Sequence, residues 1–163
     1  RACTGLIAEI ALVVNILKSF RNWYKNKYEE DPDALILSNF LYWISPYLWY
    51  SAYLVCGVAN LYSEKKVVGY EISLLYKRFV ENYAAEGSGA IFGQAKGVLE
   101  ADYRKNLDKE NAIKLMIKAL ETARRLDHYS DVRKLEEFTI FDVREDKIEK
   151  IDIRKYVEEE EKK

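Results

Sequence analysis

The spacing of hydrophobic residues predicts two helices in the first part of the chain. Apolar side chains recur at three- and four-residue intervals over residues 6–24, which places one apolar stripe along a helix. A second apolar run covers residues 34–44 and is broken at Pro46. Asp31 and Pro32 precede this run, and we expect them to supply its N-cap and its first helical turn.

After the second helix, the pattern changes to one that is typical of β-strands. Three short runs, at residues 54–58, 66–72 and 78–84, are compatible with strands. We expect these runs to form three antiparallel strands. The residues before position 6 lead directly into the helical pattern, so no strand is expected at the start of the chain.

Two further helices are predicted in the second half. The segment Gly87–Gly89 is typical of a turn, and the apolar spacing after it indicates a third helix that ends near Tyr103. Asp108 is expected to cap a fourth helix, whose apolar stripe continues up to Asp127.

Two last strands, at residues 138–143 and 147–153, complete the predicted order. Strands grouped apart from paired helices predict an α+β fold in which helices are layered on antiparallel β-sheets. A chain of 163 residues is the usual size of one domain, so residues 1–163 are expected to form a single domain. The charged residues 154–163 are expected to form a tail.

Composition excludes several functional classes. The net charge is −1 with acidic and basic residues interspersed, which argues against a nucleic-acid partner. The most apolar run, residues 35–58, is interrupted by polar residues and rich in Tyr and Trp, which argues against a membrane span. Cys3 and Cys56 make no metal or disulfide pattern, so we expect no metal, no cofactor and a reducing, cytoplasmic setting. Cys56 is expected to be a small buried hydrophobe.

Polar residues at two helix ends are the main candidates for chemistry. Ser88 precedes the third helix, where its hydroxyl is either part of a tight turn or able to contact a charged group. Asp127 ends the fourth helix, although helix C-termini prefer cations. This electrostatic mismatch favours a functional role for Asp127. The aromatic residues between positions 42 and 53 are expected in the core or in a subunit interface rather than in a ligand cage.

Two nucleophilic sites are open alternatives that the pattern disfavours. Ser88, His128 and Asp127 contain the residue types of a hydrolase triad, but adjacent His and Asp side chains point in different directions in most local geometries. Processing before Cys3 or Thr4 would create an N-terminal nucleophile, whose own amine acts as the base. Such a nucleophile usually begins a strand, whereas a helix is predicted here.

Several segments, taken in order, resemble the β-type subunits of the proteasome core particle, which belong to the N-terminal-nucleophile hydrolases. The resemblance covers most of residues 2–143. It is carried by ALVV with FRNWYKNKY, by LILSNFLYW, and above all by EGSGAIFGQAKGVLEADYRKNLDKENAIKLMIKALETARRLD. The implied fold is the αββα sandwich of that superfamily, here partial because the N-terminal strands are missing.

The resemblance also implies roles for four residues. In the family, a Ser in the glycine-serine loop, and an Asp and a Ser three positions apart after the fourth helix, support an N-terminal threonine nucleophile. These correspond to Ser88, Asp127 and Ser130. Cys3 takes the place of a glycine whose backbone amide stabilises the oxyanion.

The resemblance implies a threonine-type endopeptidase subunit that degrades unfolded polypeptides inside rings formed with other proteasome-like subunits. The family's threonine, with its partner Asp and Lys, lies upstream of the first helix, so the chain as it stands is expected to be inactive. Ala90 also replaces the second serine of the family's loop. Two alternatives therefore stay open: a non-catalytic structural subunit, or a stand-alone interaction domain whose likeness is accidental.

Overall fold

A computed structural model describes residues 2–4, 7–48, 51–91, 93–127 and 138–156. The helices are α1 Ile7–Tyr28, α2 Ala34–Ile44, α3 Ser88–Ile91, α4 Gln94–Asp102 and α5 Lys109–Leu126. The strands are β1 Ala2–Thr4, β2 Ala52–Leu61, β3 Glu64–Ile72, β4 Lys77–Phe79, β5 Ile140–Val143 and β6 Ile148–Ile151. Helices combined with antiparallel sheets confirm the predicted α+β class.

These elements group into two compact units. The first contains residues 1–84 and 143–147, and the second contains residues 85–142 and 148–163. The expectation that the whole chain forms one domain stays a prediction. None of the helices in the described ranges is long and apolar enough to cross a membrane.

The first unit is built on a four-stranded antiparallel sheet in the order β1, β2, β3, β4. The turn between β2 and β3 consists of Tyr62 and Ser63, whose φ angles of 51° and 70° match the two left-handed positions of a tight hairpin. Alternate residues of β2 are buried, as expected for a strand with one covered face. That face forms one core with α1 and α2: Val13, Leu17, Ala34, Leu41, Ile44, Leu48, Tyr53, Val55, Ala59, Val68, Tyr70 and Ile72.

Asp33, not Asp31, caps helix α2, so the N-cap prediction was wrong. One carboxylate oxygen of Asp33 accepts a hydrogen bond from the backbone of Ile36 at 2.9 Å, and the other accepts one from the backbone of Asn60 at 3.0 Å. A single side chain thus holds the start of α2 against β2. Asp31 instead accepts a hydrogen bond from Arg21 at 2.7 Å on the surface.

Strand β1 was not expected from the local pattern. Its residues pair with β2 in the register Ala2 opposite Leu54 and Thr4 opposite Ala52. Three residues are too few to show an alternating pattern, so this strand is defined by its partner. The third predicted helix is also divided, because Gly93 adopts a φ of 86° between α3 and α4.

The second unit contains α3, α4, α5 and most of the β5–β6 hairpin, and α5 contributes to its apolar core. Ile113 and Ile117 of α5 pack with Ile140, Ile153 and Tyr156. Asp108 accepts a hydrogen bond from the backbone of Asn111 at 2.8 Å, which confirms the predicted N-cap of α5. The predicted strand pair after α5 is confirmed as a two-stranded sheet. Most of the predicted charged tail, residues 157–163, lies outside the described residues.

The two acidic residues before α2 predict a sharp difference in stability. Asp33→Ala removes the helix cap and the link to β2, so it should lower the free energy of unfolding by about 1–2 kcal/mol. Asp31→Ala is the matched control and should have a much smaller effect, because its ion pairs with Arg21 and Lys25 are exposed. Denaturant unfolding of both variants measures the difference. Equal losses would show that Asp33 does not anchor the helix.

Two glycines provide a second test of the packing. A Cβ atom at Gly57 would lie 3.1 Å from the Cβ of Ala34, so Gly57→Ala should destabilise the contact between β2 and α2. A Cβ atom at Gly97 would meet no other atom within 4 Å, so Gly97→Ala in α4 should stabilise the chain by up to about 1 kcal/mol. Thermal unfolding should therefore shift in opposite directions. A stabilising Gly57→Ala would contradict the close approach of α2 to the sheet.

Candidate functional site

Helix α5 ends by placing a carboxylate in a buried position. Its last turns follow the apolar stripe of the helix, and the backbone N–H of Asp127 donates to the carbonyl of Ala123 at 2.8 Å. Asp127 then leaves the helix in an extended conformation with a φ of −101°. The residue is only 5% exposed. Burying a charged carboxylate is costly unless polar groups surround it, so this position demands hydrogen-bond donors.

Ser88 supplies one of those donors. Gly87 has a φ of 110°, a conformation that side chains disfavour, and it lets the chain turn into the short helix α3. The Ser88 hydroxyl then donates a hydrogen bond to the Oδ2 atom of Asp127. Asp127 also makes further interactions, so this bond is one part of its environment.

This contact joins two residues that are 39 positions apart in the chain. The hydrogen bond fixes the serine rotamer and directs one lone pair of the carboxylate towards the hydroxyl. It also changes how Ser88 can act, because a hydroxyl already bound to a carboxylate is poorly placed to attract a second anion. The arrangement is that of an orienting pair rather than of an anion site.

The other sequence-predicted residues lie in the first unit or outside the described residues. Cys3 lies on β1 opposite Tyr53, in the first unit, whereas Ser88 and Asp127 lie in the second. Ser130 and His128 lie outside the described residues. The supporting roles of Ser88, Asp127 and Ser130 and the oxyanion role of the Cys3 backbone remain predictions.

A second buried carboxylate, Glu71, was not expected from the sequence. It is 3% exposed on β3. The Tyr76 hydroxyl donates to it at 2.7 Å, and Arg78 on the paired strand β4 donates to it at 2.6 Å. Glu71 lies opposite Arg78 on the paired strand, and this ion pair could have been predicted only if the register of the two strands had been known.

Cys56 differs from its expected environment. Cys56 is exposed on β2, so the expectation of a buried side chain was wrong, because it lies on the sheet face opposite the helices. Partial burial nevertheless raises the pKa of its thiol. Within the described residues, no group of three or more His, Cys, Asp or Glu side chains could hold a metal ion.

Comparison with known proteins now identifies the family. The family model described as proteasome subunit matches residues 1–135, a region that includes both halves of the Ser88–Asp127 pair. The chain belongs to the proteasome subunit family. The resemblance is therefore not accidental, and the alternative of an unrelated interaction domain is wrong.

Curated relatives place the chain with the β-type proteasome subunits. It is 31% identical over 128 residues to proteasome subunit beta 1 of Pyrobaculum aerophilum, with 76% of this chain and 61% of the relative covered. It is 29% identical over 129 residues to proteasome subunit beta 2 of Pyrococcus furiosus, covering 79% and 61%. Proteasome subunit beta of Picrophilus torridus is 31% identical over 130 residues, covering 77% and 59%. The chain thus matches about three fifths of the length of these relatives.

The Ser88–Asp127 pair predicts a measurable contribution to the stability of this proteasome-family chain. Ser88→Ala removes a donor from a buried carboxylate and should lower the free energy of unfolding by about 1–3 kcal/mol. Ser19→Ala, an exposed change on α1, is the matched control and should have little effect. Denaturant unfolding measures both variants, and equal behaviour would mean that the hydrogen bond contributes nothing to folding.

Proposed function

We propose that this chain is the larger part of a threonine-type endopeptidase subunit of a proteasome core particle. The observation that supports this proposal best is the hydrogen bond from Ser88 to the buried Asp127. A polar pair of this kind is not needed to end a helix, and it lies at the positions where the family keeps residues that support its nucleophile. Ser88 and Asp127 then act as positioning residues.

The proposed chemistry begins with an N-terminal threonine contributed from outside the residues described here. The free α-amine of that threonine takes the proton of its hydroxyl, and its ordinary pKa of about 7.7–8.0 suits a base at neutral pH. The hydroxyl oxygen attacks the peptide carbonyl, and the amine protonates the leaving nitrogen as the C–N bond breaks, which leaves an ester on the threonine. Water, deprotonated by the same amine, then hydrolyses this ester, releases the second product as a carboxylic acid and restores the hydroxyl. A backbone N–H, assigned here to Cys3, stabilises the negative oxygen of the intermediate.

Asp127 has a defined electrostatic role in this scheme. A buried carboxylate near the α-amine favours the protonated amine and so stabilises the charge that forms when the hydroxyl proton is transferred. The Ser88 hydrogen bond keeps the carboxylate in one orientation, so that little reorganisation is needed during the reaction. Ser130 is proposed to share this duty. The proposed substrates are unfolded polypeptides, degraded inside rings of proteasome-like subunits in the cytoplasm.

The test uses the native, full-length protein assembled with its partner subunits. N-terminal sequencing and intact mass first establish which residue begins the mature chain. Cleavage of fluorogenic peptides is then measured for the unchanged assembly. An assembly that forms rings but hydrolyses no peptide would support the alternative of a non-catalytic structural subunit.

Variants of the pair test the positioning role directly. Ser88→Ala should lower kcat by roughly ten- to hundredfold, which corresponds to losing a hydrogen bond to a charged group. Ser19→Ala should leave kcat unchanged.

The pH profile separates positioning from folding. Asp127→Asn removes the negative charge, so the pKa of the amine should fall and the acidic limb of the kcat/KM profile should move to lower pH. A purely structural role would reduce the amount of active assembly without moving this limb. An unmoved limb would therefore contradict the role proposed for Asp127.

A further inference from the structure

The first unit contains a second hydrogen bond from a serine to a carboxylate. The Ser51 hydroxyl donates to the Oε2 atom of Glu9, 42 positions away in the chain. Glu9 lies in the first turn of α1, and Ser51 directly precedes β2. Ser51 is 7% exposed, and Glu9 is partly buried and makes further interactions. Because both groups are shielded from water, the bond restrains the two segments that it joins.

This hydrogen bond lies at the junction between β1 and α1. The strand ends at Thr4 and the helix begins at Ile7, so only two residues separate them. Thr4 is paired with Ala52 of β2, and Ser51 is the residue before Ala52. The bond to Glu9 therefore attaches the start of α1 to the same end of β2 that holds the end of β1.

Strand β1 benefits from a second attachment because its own pairing is short. It consists of three residues at the edge of the described four-stranded sheet. A segment held by few contacts opens locally at little cost in free energy. An edge strand also leaves alternate backbone N–H groups without a partner in the sheet, so these groups can bind a substrate.

Apolar packing does not provide this attachment. Val13 and Leu17, further along α1, are 2% and 3% exposed and lie in the same core as Tyr53 of β2. Tyr53 is opposite Cys3 and is itself only 3% exposed, so β2 is firmly held at this point. Burial of apolar groups has no preferred direction, whereas a hydrogen bond has one. The bond between Ser51 and Glu9 therefore adds a directional restraint next to β1.

We propose that Glu9 and Ser51 are positioning residues for the oxyanion donor on β1. The inference rests on the proposed function, because it extends the role assigned there to the backbone N–H of Cys3. A donor must be held within about 0.5 Å of its working position to be effective. The pair acts through β1 and not on the substrate: it keeps the N–H aligned before negative charge develops on the peptide oxygen.

Hydrogen exchange of backbone amides measures the restraint on β1. In the native, full-length assembly, Glu9→Ala and Ser51→Ala should each raise the exchange rate of the β1 amides that bond to β2 by roughly tenfold, because the junction loses one of its attachments. Amides near Val13, in the middle of α1, should exchange at an unchanged rate. Unchanged exchange on β1 in both variants would overturn the proposal.

Peptide hydrolysis separates positioning from a purely structural role. Glu9→Ala and Ser51→Ala should lower kcat per assembled site by about tenfold with KM nearly unchanged, because the oxyanion forms only after substrate has bound. Ser19→Ala and Glu30→Ala, which change exposed residues, are the matched controls and should alter neither constant. Circular dichroism and native mass spectrometry determine how much of each variant is folded and assembled. A smaller amount of active assembly with an unchanged kcat would reject the positioning role.

Glu9→Gln separates the geometry of the pair from its charge. The side-chain oxygen of Gln can still accept the hydrogen bond of Ser51, but the negative charge is absent. The positioning role predicts that Glu9→Gln keeps most of the kcat that Glu9→Ala loses. A kcat as low as that of Glu9→Ala would contradict positioning through this bond.

A peptide aldehyde measures stabilisation of the oxyanion directly. The threonine oxygen adds to the aldehyde carbon, the hydroxyl proton passes through the α-amine to the former carbonyl oxygen, and no group leaves. Because that oxygen takes the place of the oxyanion, the inhibition constant should rise in Glu9→Ala by about the factor lost from kcat/KM. The same peptide ending in an alcohol forms no adduct, and its Kd should stay unchanged. Equal weakening of both ligands would indicate a general loss of peptide binding and would overturn the proposal.

The outcome for Glu9 and Ser51 is distinguishable from the outcome for the proposed function. A native assembly that hydrolyses peptides, with an unaltered kcat in Glu9→Ala and Ser51→Ala, would reject the positioning role and leave the endopeptidase standing. A native assembly that hydrolyses no peptide would reject the endopeptidase and, with it, the role of this pair.

Discussion

The pairing of β2 with β3 is the constraint on which the first unit depends. Nine residue pairs, from Tyr53 opposite Ile72 to Leu61 opposite Glu64, set which side of each strand is buried. A shift of one residue would move the core residues to the other side of the sheet. The same register places Asn60 where Asp33 can bond its backbone, and so fixes the start of α2. The outer face of α2 and its exposed Trp43 follow from that placement.

The second unit depends in a similar way on one amphipathic helix. The apolar stripe of α5 packs on the residues around the β5–β6 hairpin, and its N-cap fixes where the stripe begins. The end of that helix therefore has a determined position, and Asp127 is carried into the interior by packing rather than by any preference of its own. The Ser88 hydroxyl compensates part of the resulting desolvation.

Elements with many periodic residues could be predicted from the sequence, whereas contacts between distant residues could not. The apolar spacing along α1 and α5 and the N-cap residue Asp108 can be recognised from neighbouring residues in the sequence. Strand β1 cannot be recognised in this way, because it is defined by its pairing with β2, and the second hydrogen bond of Asp33, from the backbone of Asn60, also joins residues far apart in the chain. The proximity of Ser88 and Asp127 was implied by family resemblance, since no local rule relates residues 39 positions apart. Cys56 was wrongly expected to be buried, because an apolar run of residues does not indicate which face of the strand is covered.

The buried carboxylate of Glu71 and the partly buried ammonium of Lys77 have different kinds of partner. Glu71 receives both Tyr76 and Arg78 within its own hairpin, so its burial is explained by folding. Lys77, one residue from Arg78, has an amide and a ring where a carboxylate would be expected. Partial desolvation of a cation is unfavourable, and the Asn39 amide oxygen and the Tyr70 ring compensate part of that cost.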